Sequence, residues 1–91
     1  MKYAFRFTTA ARRQLRALDS DVAMRILHAL TPLGDDPYRS DASVTKLAGR
    51  DHTYRLRVGR HRVVYTIDNG ELVIIVVAVG NRRDVYRNLT D

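Results

Sequence analysis

The sequence contains no cysteine, which excludes a disulfide framework, a thiolate metal site and a cysteine nucleophile. Its longest unbroken apolar run is the eight residues 72–79, far too short to cross a membrane as a helix. The first seven residues carry Lys2 and Arg6 and lack the apolar core of a secretion signal. A chain of 91 residues has room for one domain, spanning residues 1–91. We therefore predict a soluble, cytoplasmic, single-domain protein.

Lysine is also scarce, because only Lys2 and Lys46 are lysines among sixteen basic residues and the other fourteen are arginine. Ten acidic residues leave a formal net charge of +6. An excess of positive charge favours a polyanionic partner, such as nucleic acid, an anionic membrane or an acidic protein. Arginine binds phosphate and carboxylate through paired hydrogen bonds, so its abundance favours phosphate recognition, although a biased genome composition produces the same abundance.

Hydrophobic periodicity predicts an α+β fold in which an antiparallel helical hairpin packs on one face of a small, mostly antiparallel sheet of four to five strands. The predicted order is a strand at 2–7, two helices with apolar stripes through 11–18 and 22–33, a loop at 35–42, and strands at 43–48, 53–58, 61–67 and 72–79. Thr8 or Thr9 can cap the first helix. Asn69 and Gly70 predict a hairpin turn of type I′.

Alternation along the strands predicts which face of the sheet the arginines occupy. Leu56 and its apolar neighbours are natural core residues, so Arg55 and Arg57 should project from the opposite, open face. Arg62 alternates with apolar residues in the next strand, and a short turn at 59–60 would bring it onto the same face. Like charges placed side by side repel. A cluster of three arginines therefore favours an anion-binding surface over a merely solvated one.

Four segments carry a resemblance to a known family. They are 3–11 (YAFRFTTAA), 46–49 (KLAG), 54–65 (YRLRVGRHRVVY) and 79–86 (VGNRRDVY). In this order and spacing they resemble the RelE/ParE-type toxins of bacterial toxin–antitoxin pairs, over nearly the whole chain. The predicted order of helices and strands is also that of the family. The resemblance is closer to the RelE-like toxins, which cleave mRNA.

The resemblance implies an endoribonuclease that cuts mRNA in the ribosomal A site without a metal or other cofactor. In that reaction a ribose 2′-hydroxyl attacks the adjacent phosphate and leaves a 2′,3′-cyclic end. The implied catalytic residues are Arg55, Arg57, Arg62, Arg82 and Tyr86. By position, Arg62 matches a phosphate-binding arginine, Arg82 a basic residue near the leaving group, and Tyr86 an aromatic that orients or stacks on a base. The implied RNA-binding residues are Arg60, Arg83, Arg12, Arg13 and Arg16. For the last three, the simpler interpretation is a solvated helix face, and contact with ribosomal RNA comes second.

Two positions depart from the family pattern. Arg55 and Arg57 stand where relatives often have lysine, and arginine keeps its proton, so it is a poor general base. Asn81 stands where relatives often have histidine, and asparagine does not titrate. The proton acceptor is therefore left open among water, Tyr86 and ribosomal RNA. No metal site is expected, because the three histidines are scattered along the chain.

The resemblance also implies partners and leaves alternatives. A cognate antitoxin with an acidic toxin-binding segment should wrap the helices and the sheet edge, and the pair could bind operator DNA through the antitoxin. The ribosome and mRNA are the other expected partners. A second hypothesis is a ParE-like poison of DNA gyrase with the same fold and no nuclease activity. A third is a non-catalytic protein that acts mainly in a repressor complex with its antitoxin.

Overall fold

The computed structural model describes residues 2–39, 43–81 and 83–85. Its elements are β1 (Ala4–Phe7), α1 (Thr9–Arg16), α2 (Ser20–Leu30), a 3₁₀ turn (Thr31–Gly34), β2 (Val44–Lys46), β3 (Thr53–Val58), β4 (His61–Asp68) and β5 (Val73–Asn81). This order confirms the predicted strand, helical hairpin and run of strands. No helix in these ranges is long and apolar enough to span a membrane.

The strands form one sheet in the order β1-β5-β4-β3-β2. The pairs β2–β3, β3–β4 and β4–β5 are antiparallel. The pair β1–β5 is parallel, with Ala4 opposite Val73. β5 is thus an interior strand, flanked by β1 and β4. Its residues are largely buried, as the run of apolar residues at 72–79 predicts. The predicted end of this strand at residue 79 was wrong, because β5 continues through Gly80 to Asn81.

The two helices cover one face of the sheet. Ala11, Ile26 and Leu30 are buried against strand residues of that face, among them Leu56 and Val63. α1 begins at a capped end, because the Thr8 hydroxyl accepts a hydrogen bond of 3.1 Å from the Ala11 amide. The apolar stripe of α2 extends beyond the core, since Leu27 remains 37% exposed.

The β4–β5 connection forms a hairpin, but the predicted type I′ turn at Asn69 and Gly70 was wrong. The loop has four residues, 69–72, and its left-handed residue is Leu72, with a φ of 56°. The Asp68 carboxylate accepts a 3.1 Å hydrogen bond from the Glu71 amide. This Asx-type contact folds the loop locally and shifts the positive φ to its last position.

The other face of the sheet is not fully open, which corrects the prediction. Val64, Ala78 and Val85 are 0% exposed there and form a second apolar cluster, against which Leu47 and Val77 pack. A β-bulge contributes to it, because Val64 pairs with Ala78 but the next residue of β4 pairs with Val76, which leaves Val77 as an extra residue. The cluster therefore holds the segment 83–85 against the sheet.

Candidate functional site

Arg57 and Arg62 lie directly opposite each other on β3 and β4. They share a face with Arg55, because the intervening Leu56 and its partner Val63 point into the core beneath the helices. Direct cross-strand partners have Cβ atoms about 4.5–5.5 Å apart, and like charges in that position destabilise a sheet. An unliganded protein therefore carries a local repulsion that a bound anion would relieve.

The guanidinium of Arg62 is held against the β3–β4 turn. Its Nη1 donates to the carbonyl oxygens of His61 at 3.2 Å and of Gly59 at 3.4 Å. Gly59 has a φ of 59°, a left-handed conformation that side chains disfavour and that this two-residue turn uses. The turn thus fixes the position of a half-buried cation at the end of the hairpin.

A depression of about 450 Å³ opens beside this turn. It is lined by Gly59, Arg60, Arg62, Asn81 and Arg83. Among the residues that the structure describes, no acidic side chain lines it. Three guanidinium groups around one concave surface concentrate positive potential there, which suits a phosphate group.

Asn81 lies in the depression between the β3–β4 turn and Arg83. It is the last residue of β5 and lies opposite His61, next to the β3–β4 turn. Its Oδ1 accepts hydrogen bonds from the backbone amides of Arg83 at 3.0 Å and Asp84 at 2.8 Å. Sequence reasoning noted Asn81 only as a departure from histidine and missed this capping role. The signal was an asparagine directly after a strand and before a charged turn.

α1 is tied to the part of β5 that leads into the depression. β1 pairs with β5 only as far as Phe7 opposite Val76, so the β5 edge beyond that point has no β1 partner. There the Gln14 side chain accepts a 2.8 Å hydrogen bond from the Val79 amide. A helix side chain thus replaces the missing strand.

The predicted site residues are only partly brought together. The depression contains Arg60, Arg62 and Arg83. Arg55 is half-buried opposite Val64 and does not line it. Arg57 lines a smaller cavity of about 210 Å³ with Arg39. The remaining predicted residues fall into two groups: Arg12, Arg13 and Arg16 are exposed on α1 and do not line the depression, and Arg82 and Tyr86 lie outside the described residues.

Within the described ranges, no three histidine, aspartate or glutamate side chains are grouped so that they could hold a metal ion. The side chains that line the depression offer three guanidinium groups and the amide of Asn81.

The family model described as the ParE toxin of type II toxin–antitoxin systems matches residues 5–86. The chain belongs to the RelE/ParE superfamily. It is 34% identical over 89 residues to Toxin RelG of Mycobacterium tuberculosis, covering 96% of this chain and 99% of that protein. It is 33% identical over 90 residues to a RelE-like toxin protein of Escherichia coli, covering 94% and 92%.

Solved structures of RelE toxins share the fold. Free E. coli RelE with two arginines replaced by alanine matches with a TM-score of 0.80 and 29% identity, covering 99% of this chain and 96% of that chain. The intact E. coli RelBE toxin–antitoxin complex matches with a TM-score of 0.76 and 29% identity, covering 89% and 98%. These findings confirm the resemblance: the chain is a RelE-like toxin of a type II toxin–antitoxin system.

Proposed function

We propose that this RelE-like toxin is a ribosome-dependent, metal-independent endoribonuclease that cleaves mRNA in the A site and so stops translation and growth. The observation that carries the proposal is the depression lined by Arg60, Arg62 and Arg83, next to the Arg57–Arg62 pair. Its positive charge and concave shape suit the scissile phosphate of an RNA strand. The cytoplasm, where translation takes place, is the location that this activity requires.

The proposed reaction is a transfer within the RNA itself. The ribose 2′-oxygen attacks the adjacent phosphorus and forms a new P–O bond, while the bond from phosphorus to the 5′-oxygen of the next nucleotide breaks. The 2′-hydroxyl loses its proton to a base, and the leaving 5′-oxygen gains one from an acid. The products are a 2′,3′-cyclic phosphate and a 5′-hydroxyl end.

The arginines act in this mechanism through their charge. As the phosphorane forms, negative charge develops on its oxygens, and fixed guanidinium groups stabilise that charge better than mobile water does. Arg62 is the best placed, since the β3–β4 turn holds it in the depression. We assign Arg82 to the leaving oxygen and Tyr86 to the base that stacks next to the cut.

Proton transfer needs a group other than these arginines, because a guanidinium stays charged at neutral pH. Among the described residues, the depression presents no carboxylate or imidazole. The candidates for the acceptor are water, Tyr86 and ribosomal RNA. We further propose that the exposed arginines of α1, Arg12, Arg13 and Arg16, contact ribosomal RNA phosphates, which bring the toxin to its substrate.

The function is tested by inducing the toxin and mapping the 5′ ends of translated and untranslated messages by primer extension. We expect cuts in phase with codons in translated messages alone. The new 5′ ends should carry a hydroxyl group. An adaptor ligation that requires a 5′-phosphate should therefore fail until the RNA has been treated with a polynucleotide kinase. Cuts that appear equally in an untranslated control message would contradict dependence on the ribosome.

A gyrase poison is the second candidate, because the family model that matches this chain is named for the ParE toxin. The same induced cultures separate the two hypotheses. A gyrase poison changes plasmid supercoiling and breaks DNA while messages stay intact, whereas the proposed nuclease leaves supercoiling unchanged.

The proposed protein partner is a cognate antitoxin, since several similar structures are RelE–RelB antitoxin complexes. An apolar groove of about 170 Å³ between β1 and α2 is a suitable docking place for an antitoxin segment. It is lined by Phe5, Phe7, Leu27, Leu30 and Thr31. β1 is also an outer strand of the sheet, so its free edge lies beside the groove.

Leu27→Lys tests this docking place. Leu27 is 37% exposed on the groove wall, so lysine places a charge there without entering the core. We expect antitoxin affinity to fall about tenfold or more, as when an apolar anchor is lost. Met24→Lys is the matched control, because Met24 is 52% exposed on the same helix and does not line the groove. Equal affinities of the two variants by calorimetry would place the antitoxin elsewhere.

A further inference from the structure

Arg83 lies in the arginine-lined depression at the start of the segment 83–85, and the position of that segment depends on two contacts. Val85 is 0% exposed and packs with Val64 and Ala78 on the sheet. The Asn81 side chain accepts hydrogen bonds from the amides of Arg83 and Asp84, and so ties the segment to the end of β5. Val85 fixes the far side of the segment, and Asn81 fixes the side that carries Arg83.

We propose that Asn81 is a positioning residue that orients Arg83 toward the phosphate in the depression. The substrate class named here, single-stranded RNA, rests on the proposed function. Two amides bonded to one oxygen restrict the backbone from which the Arg83 side chain leaves. Without that restriction the guanidinium samples more orientations in the free protein. Binding RNA must then order the side chain, and the lost conformational entropy weakens the affinity.

Asn81 has no charge, which is part of the proposed role. Aspartate caps an amide pair as well as asparagine does, but it would bring a negative charge among three guanidinium groups. Serine keeps a neutral oxygen acceptor, whereas alanine removes the acceptor. The series Asn81→Ser, Asn81→Asp and Asn81→Ala therefore separates the cap from the charge.

The binding experiment uses the purified toxin and a fluorescein-labelled six-nucleotide RNA, with affinity measured by anisotropy at constant salt. We expect Asn81→Ala to weaken binding roughly fivefold, the factor that corresponds to the loss of one cap. Asn81→Ser should restore most of the affinity, and Asn81→Asp should bind more weakly than Asn81→Ser. Hydrogen exchange at the Arg83 and Asp84 amides should quicken in Asn81→Ala alone. Circular dichroism identifies any variant that fails to fold.

A double-mutant cycle shows whether Asn81 acts through Arg83. If it does, Asn81→Ala has no further effect in an Arg83→Ala background, whereas a general loss of stability or a direct contact with RNA gives additive effects. Additivity, unchanged affinity of Asn81→Ala, or failure of the unmodified toxin to bind the RNA would each overturn the proposal. The assay involves no cleavage, so coupling in a protein that cuts no message would uphold the positioning role and refute the nuclease.

Discussion

Replacing Arg62 by alanine is expected to lower the rate of mRNA cleavage about 10²–10³-fold, the usual cost of removing one fixed charge-stabilising donor from a transition state. Arg62 combines three features: it lies opposite Arg57, it lines the depression, and the turn carbonyls hold its guanidinium. The loss should appear in kcat more than in KM, because the stabilised charge develops during the reaction. Growth arrest should disappear with it.

Further variants separate the charge of Arg62 from its hydrogen bonds to the turn. Arg62→Gln keeps an amide that can donate to the turn and removes the charge, so it should remain folded and nearly inactive. Arg62→Lys keeps the charge but presents a single point cation, so its activity should lie between that of the unmodified toxin and that of Arg62→Gln. Arg25→Ala removes the same charge from an exposed position on α2 and should leave activity unchanged. Each variant must still bind the antitoxin. Full growth arrest by Arg62→Gln would refute the nuclease assignment.

Replacing Arg57 by threonine is expected to stabilise the fold while lowering cleavage about 100-fold. The substitution removes one of two like charges that face each other across the hairpin, which contributes about 0.2–1 kcal/mol. Threonine is also well suited to a strand. Activity falls because Arg57 lies directly opposite Arg62, which lines the depression in which the phosphate is proposed to bind. If the two arginines are kept together to bind an anion at a cost in stability, removing one of them should raise stability and lower the cleavage rate.

The measurement is denaturant unfolding at two ionic strengths, paired with the cleavage assay. The stability gain should shrink at high salt, because salt screens the repulsion between exposed charges. Arg55→Thr is the matched control: it removes an arginine from the same strand and face, but its partner is Val64 rather than a second cation. The part of the stability gain that salt removes should be absent there. A gain of the same size in both variants would mean that strand propensity, not repulsion, is responsible.

The alternation of residue types was enough to predict the face on which the arginines lie. Leu56 and Val63 point into the core. Arg55, Arg57 and Arg62 are their neighbours along the strands, so they must project from the opposite face. That inference needed local sequence alone, since burying an unpaired guanidinium costs more than any strand contact returns. The helical hairpin followed from the same kind of local periodicity, and its cap is Thr8, one of the two threonines that were predicted as candidates.

The features that sequence reasoning missed depend on contacts between distant or competing groups. Val64 lies on the same face as Arg62 and so hinted that this face holds apolar surface, but its partner Val85 comes from a segment with no strong pattern. At Asn69 and Gly70, a competing bond from the Asp68 side chain determined the turn. The part that Asn81 plays depends on the backbone that follows it, which no periodicity reports.

The parallel pairing of β1 with β5 affects how the toxin is made. Ala4 pairs with Val73, so the first strand to leave a translating ribosome finds its neighbour only after most of the sheet-forming sequence has been synthesised. Until then β1 keeps two unpaired edges, and the core on the helix side lacks Ile74 and Val76. Such long-range closure makes folding slow. The depression lined by Asn81 and Arg83 therefore cannot form until β5 has been synthesised, and the proposed activity on the ribosome has to wait for it.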